Sequence, residues 1–182
     1  GWYTRVGAHP FGHAHDDLVA VTRTGPARGE TAAESIALAD AQRARDAAAI
    51  AAVPRVVGVA ATDRHAIDGR WGIPAALWSL AEDGKPGPIT TLGWIVDAEP
   101  HFTDVLGVSF LRGVGLARLP EAERRDAVVV TKELATRLFG DDDPIGHTIA
   151  ASDGTRARVV GLMPDVLFVM PFAADPRSAM LR

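Results

Sequence analysis

At 182 residues the chain suits one domain, or two small lobes sharing a core. Hydrophobic residues make up 47%, which excludes a disordered chain, and 19 basic against 23 acidic residues disfavour a general nucleic-acid binder, which needs a concentrated basic face. The absence of cysteine excludes a disulfide framework and any thiolate metal site.

No window approaches the roughly eighteen apolar residues of a membrane span, and no basic-then-apolar leader opens the chain. Gly1 to His15 has no sustained period and reads as irregular. His9, His13 and His15, followed by Asp16 and Asp17, are residue types that suit zinc or nickel. A solvated leader with scattered histidines is the simpler reading, and no metal is expected. Leu18 to Thr22 alternates with β-branched residues and predicts a first strand. After the Gly/Pro turn at 25–30, Thr31 and Glu34 form a capping-box pair that predicts a helix running to about Ala52. Ile36, Ala39, Arg43, Ala47 and Ile50 fall along one side, so the apolar stripe is thin and alanine propensity supports the helix. Pro54 stops it. Arg55 to Ala61, RVVGVAA, reads as a second strand, which suggests a parallel or split βαβ unit.

From Thr62 to Pro88 the pattern is weaker. Trp71 and Trp78, set beside Gly72 and Pro74, suit the lining of a saccharide or peptide groove, although such rings more often cover a loop-rich flank of a core. Glu82 to Pro88 is a turn, and Ile89 to Asp97 a strand with Leu92, Trp94 and Val96 on one face. Pro100 opens a short helix that buries Phe102, Val105 and Leu106 and ends at Gly107.

The stretch Asp126 to Ile149 holds the strongest agreement between local signals. Ala127 to Val130 is a buried strand, Thr131 caps a short helix with Leu134 and Leu138 one turn apart, and Gly140 and Pro144 end it. Asp153-Gly154 then predicts a hairpin between Thr148–Ala151 and Arg156–Val160. Val166 to Phe172 reads as the last apolar strand, and the chain trails off after it.

Three stretches carry a family resemblance, in order. They are VDAEPHFTDVLGVSFLRG from Val96, VVVTKELATRLFGDDDPIGHTI from Val128, and RVVGLMPDV from Arg158. Together they resemble the MacB-like periplasmic core domain of ABC transporter permeases, the MacB/FtsX type. The resemblance implies a mixed α+β fold: a porter-like βαβ lobe over residues 1–66, to which 155–182 return, and an inserted α/β lobe over 67–154. It also implies a non-catalytic extracytoplasmic domain at the inner membrane, on the periplasmic side, coupling ATP-driven motion to substrate export or adaptor engagement. Its implied partners are its own membrane helices, a cytoplasmic ATPase domain or subunit, a second copy in a homodimer and a periplasmic adaptor. Those helices would lie outside this segment. The family continues into a further strand, helix and strand where this chain stops at Arg182, so an exposed sheet edge is expected.

Chemistry is otherwise thin. Asp141, Asp142 and Asp143 are hard ligands for calcium or magnesium, but lack the alternation and distal glutamate of a calcium loop. Ser79, Ser109 and Ser152 sit in no nucleophile elbow, Glu121 and Glu123 lie in a charged turn, and neither phosphate-loop pattern occurs. No cofactor is expected. The alternatives are a free-standing periplasmic module binding a peptide or saccharide near Trp71 and Trp78, or a small hydrolase. The former needs a deep aromatic pocket and the latter a convergent set of titratable groups.

Overall fold

The computed structural model describes residues 2–6, 18–22, 29–62, 75–82, 85–87, 91–151, 154–166 and 179–181. β1 (Trp2–Val6) and β2 (Leu18–Thr22) pair antiparallel as a separate two-stranded sheet, with Trp2 opposite Thr22. β2 stands where the alternation places it. β1 corrects the irregular reading for residues 2–6, where Trp, Tyr, Thr and Val favour a strand; residues 7–15 lie outside the described residues.

α1 (Ala32–Ala51) begins as its capping box predicts. The Thr31 hydroxyl accepts from the Glu34 amide at 3.2 Å, and the Glu34 carboxylate accepts from the Thr31 amide at 3.0 Å. None of its 20 residues is buried. Arg55 then adopts φ 74°, in the left-handed region, and turns the chain. The strand expected over Arg55–Ala61 does not form. A single antiparallel bridge, Thr62 to Ala98, is all the pairing there. A β-branched run favours extension, but it becomes a strand only against a free partner edge. The predicted βαβ unit is therefore absent among the described residues.

The remaining strands form one eight-stranded sheet: β3 (Ala75–Glu82), β4 (Lys85–Pro86), β5 (Thr91–Val96), β6 (Arg112–Gly113), β7 (Ala127–Thr131), β8 (Thr148–Ala151), β9 (Arg156–Met163) and β10 (Ala179–Leu181). Six of them close on themselves. β3 pairs with β5, β5 with β10, β10 with β7, β7 with β9, β9 with β8, and β8 again with β3. β5 and β7 each run parallel to a later strand, and the other contacts of the circuit are antiparallel. Closure satisfies both edges of every member, which an open sheet cannot do. β9 and β10, both within the segment 155–182, make all their described strand pairings in this sheet. Of the strand expected at Val166–Phe172, Val166 is buried in irregular backbone and the rest lies outside the described residues.

β7 is the centre of this arrangement, and all five of its residues are buried. Successive side chains point to opposite faces. Ala127 and Val129 join a first apolar cluster with Val96, Phe102, Leu106, Leu116, Val160 and Met163, under α2 (Phe102–Val105) and the turn at Leu116–Arg118. Val128 and Val130 join a second cluster with Trp78, Ile95, Ile149 and Val159. Burial on both faces explains the unbroken β-branched run. α3 (Glu121–Arg124) leads into β7, and α4 (Lys132–Phe139) leaves it. Leu134, Ala135, Leu138 and Phe139 of α4 are buried in the second cluster. Gly93 of β5 makes room for them: a Cβ there would lie 3.0 Å from the Trp78 ring and 3.2 Å from a Leu134 methyl. The fold is mixed α/β, with two packed layers of side chains on either side of β7.

Candidate functional site

The best-defined polar junction is built by the motif segments themselves. β6 pairs with β9, placing Arg112 opposite Leu162 and Gly113 opposite Gly161. The Leu111 amide donates to the Leu162 carbonyl at 2.8 Å, and the Val114 amide to that of Val160 at 3.0 Å. On the other side of the junction the Gly146 amide donates to the Val159 carbonyl at 2.8 Å, and the Val159 amide to His147 at 2.9 Å. The three stretches singled out by sequence thus meet along β9. Gly113 is required there. Its φ is +68°, and a Cβ would collide with the Val160 carbonyl oxygen and come within 2.9 Å of Ile145 Cδ1.

Across this seam Arg112 Nη1 donates to Asp143 Oδ2 at 2.7 Å. The other oxygen of Asp143 accepts from the Ile145 amide at 3.2 Å, an Asx turn that starts the Pro-Ile-Gly segment. The Ile145 amide first, and the Arg112 guanidinium second, hold the Asp143 carboxyl below the usual aspartate range. Both side chains of the pair are more than half exposed, so the clip orients a loop without adding much stability. Leu111 and Val114 flank Arg112 with their apolar surfaces exposed.

The other candidate residues are dispersed. Trp78 is 1% exposed and belongs to the second cluster, where its indole N–H has no partner among the described residues; Trp71 lies outside them. Asp141 and Asp142 are exposed beside the clip. The buried Ser79 hydroxyl donates to the Ala150 carbonyl at 3.4 Å, across the β3–β8 pairing. Ser109 is exposed, and Ser152 falls outside the described residues. Glu123 pairs at 3.5 Å with Arg158, and Glu121 is exposed. His9, His13, His15, Asp16 and Asp17 also lie outside. Among the described residues no group of three or more histidines and carboxylates is placed to hold a metal.

Two concavities stand out among the described residues. One is an open hollow of about 590 Å³ lined by Gly29, Glu30, Glu34, Ala37 and Leu38, at the start of α1. The other is a gap beneath α2, lined by Pro100, Phe102, Thr103, Leu116 and Val129 and too narrow for a water molecule. The Thr103 hydroxyl faces it without a hydrogen-bond partner among the described residues.

A second polar cluster, which sequence reading missed, joins residues 59–62 to residues 97–101. His101 Nε2 lies 2.7 Å from the Val59 carbonyl oxygen and 3.4 Å from Glu99 Oε2. The same Glu99 oxygen accepts from the Ala61 amide at 3.0 Å. Glu99 and His101 are 38 and 42 residues from their partners, and no local spacing signals such a contact.

The MacB-like periplasmic core domain model matches residues 5–180 of this chain. Two solved structures are similar. The periplasmic region of MacB from Actinobacillus actinomycetemcomitans aligns with a TM-score of 0.52 and 14% identity, over 76% of this chain and 53% of that one. The extracellular domain of the noncanonic ABC-type transporter YknZ from Gram-positive bacteria gives 0.50 and 16%, over 75% and 59% respectively. At such identities the likeness concerns the fold, and this chain spans little more than half the length of either structure. No curated protein matches the sequence.

Proposed function

The chain belongs to the MacB-like periplasmic core domain family, and from that premise we propose that it is the outer domain of an ABC transporter permease, coupling ATP-driven motion to substrate export or adaptor engagement. The observation that carries the reading is the family match over residues 5–180, nearly the whole chain. A closed strand circuit with a core on both faces of β7 supports it physically. Force applied at one point of such a body moves the whole, which suits a part that works by rigid-body displacement. None of the described helices is long and apolar enough to cross a membrane, so the reading assigns membrane crossing to other segments of the transporter. Its partners in this reading are those helices, a cytoplasmic ATPase domain or subunit, a second copy of the domain and a periplasmic adaptor.

The test is in the parent gene and in the assembled transporter. One hydrophobic span before Gly1 and three after Arg182 are expected, and the purified protein should hydrolyse ATP only with its ATPase present. Crosslinking the outer domain to its second copy should then slow export. A parent gene without flanking spans sinks the proposal, as does export indifferent to the crosslink.

A further inference from the structure

We propose that residues 56–62 form a latch between α1 and the closed strand circuit, pinned by Glu99 and His101 and able to open while the circuit stays folded. The hydrogen bonds that tie this strap to the circuit run to Asp97, Glu99 and His101. The Val59 carbonyl can only accept, so His101 Nε2 carries the proton and donates to it, at 2.7 Å. Glu99 holds Ala61 from both sides: its carboxylate accepts from the Ala61 amide at 3.0 Å, and its own amide donates to the Ala61 carbonyl at 2.9 Å. The Thr62 hydroxyl donates to the Asp97 carbonyl at 2.9 Å, beside the Thr62–Ala98 bridge. Ala60 rests on the first apolar cluster, and Gly58 faces Val105 of α2.

The strap is held by hydrogen bonds more than by burial. The side chains of His101 and Glu99 are 48% and 34% exposed, so water competes for their bonds. Val57 is fully exposed and Val53 more than half so, and neither resists detachment by burying apolar surface. Just before the strap, Arg55 sits at φ 74°, a conformation unfavourable for a residue with a Cβ. Opening the strap lets it relax. Beyond it, α1 has no buried residue to keep it in place. β2 keeps its own anchor, Leu18 against the first cluster, so α1 is the element set free. Few buried contacts, exposed bonds and a strained pivot are the ingredients of local opening within a folded protein. The use of the latch in transport rests on the permease reading above; its existence does not.

Amide hydrogen exchange on this chain tests it. Glu99→Ala and His101→Ala are each expected to speed exchange of the bonded Ala61 amide by about tenfold, the worth of a lost hydrogen bond, while the amides of β7 keep their protection. In the His101→Ala background, where the Glu99 carboxylate still accepts from Ala61, a disulfide made by Thr62→Cys and Ala98→Cys should restore the slow exchange, and reduction should abolish the restoration. Unchanged exchange at Ala61 overturns the latch. Acceleration shared equally by β7 also overturns it, because Glu99 and His101 would then hold the whole fold. Either result leaves the family function untouched, and a failed export experiment leaves the exchange result standing.

Discussion

α4 and α1 are held by opposite means. α4 has eight residues, too few to be stable alone, and four of them are buried in the second cluster. α1 has 20 residues and buries none. Alanine propensity, the capping box and side-chain pairs such as Gln42–Asp46 at 2.9 Å and Asp40–Arg43 at 3.1 Å sustain it. One helix exists because its surroundings require it, the other because its own sequence does. A movable arm on a rigid body needs that division: the arm must keep its shape when it leaves the body.

The same truncation in the two helices should expose the difference most strongly. Leu134 is fully buried, and Leu134→Ala removes atoms packed beside Gly93 in the second cluster; a loss of about 2 to 5 kcal/mol is expected from urea unfolding. Leu38 in α1 is 45% exposed, and Leu38→Ala should change the unfolding free energy by no more than about 0.5 kcal/mol. Equal losses at the two sites would break the comparison, showing that α1 packs as tightly as α4.

A finer version uses the two threonine caps. Thr131 is buried at the end of β7, and its hydroxyl accepts from the Leu134 amide at 3.4 Å. That bond is long, but losing it leaves a buried N–H exposed to nothing, so Thr131→Ala should lower global stability by about 1 to 2 kcal/mol. Thr31→Ala breaks the capping box in solvent, at roughly 0.5 to 1 kcal/mol for α1 alone. Circular dichroism should register lost helix before any unfolding of the circuit, and exchange should quicken only near residues 32–36. A global shift from Thr31→Ala as large as that from Thr131→Ala would erase the distinction.

The same contrast governs what the sequence revealed. α1, β7 and α4 were legible because their signals are local: a capping pair, a β-branched run, a cap followed by leucines one turn apart. The hairpin between β8 and β9 was legible from Asp153-Gly154, and Gly154 takes φ +88°. β10 was not, since Ala179–Leu181 is only three residues long and becomes a strand by lying between β5 and β7. The opposite error occurred at Arg55–Ala61, where a good strand composition found one bridge and a set of side-chain bonds. β3 was read as a loop-rich flank around two tryptophans, because closing the circuit through β8 depends on pairing some seventy residues away. The latch residues were invisible for the same reason. Of the polar junction, the motif segments were recognised, but their meeting along β9 was not, and neither was the pairing of Arg112 with Asp143.

That pairing gives the smallest expected effect and the sharpest pH signature. Asp143 is held below its ordinary value by the Ile145 amide and by Arg112, so its folded-state pKa is the lower of the two. A carboxyl of that kind contributes stability above the unfolded value, near 3.8, and loses it as pH falls through the folded value. The contribution should therefore be complete at neutral pH and fade only in the acid range below about pH 4. Exposure on both sides and screening by salt keep it small. Asp143→Asn retains an oxygen for the Ile145 amide and removes the charge, so it should leave the fold intact at neutral pH while flattening the acid limb of the stability curve. Arg112→Ala should flatten it less, because the Ile145 bond, the larger cause, remains. If the two variants flatten it equally, the charge of Arg112 and not the turn holds Asp143, and the clip is a bridge between β6 and its loop rather than a loop that ties itself.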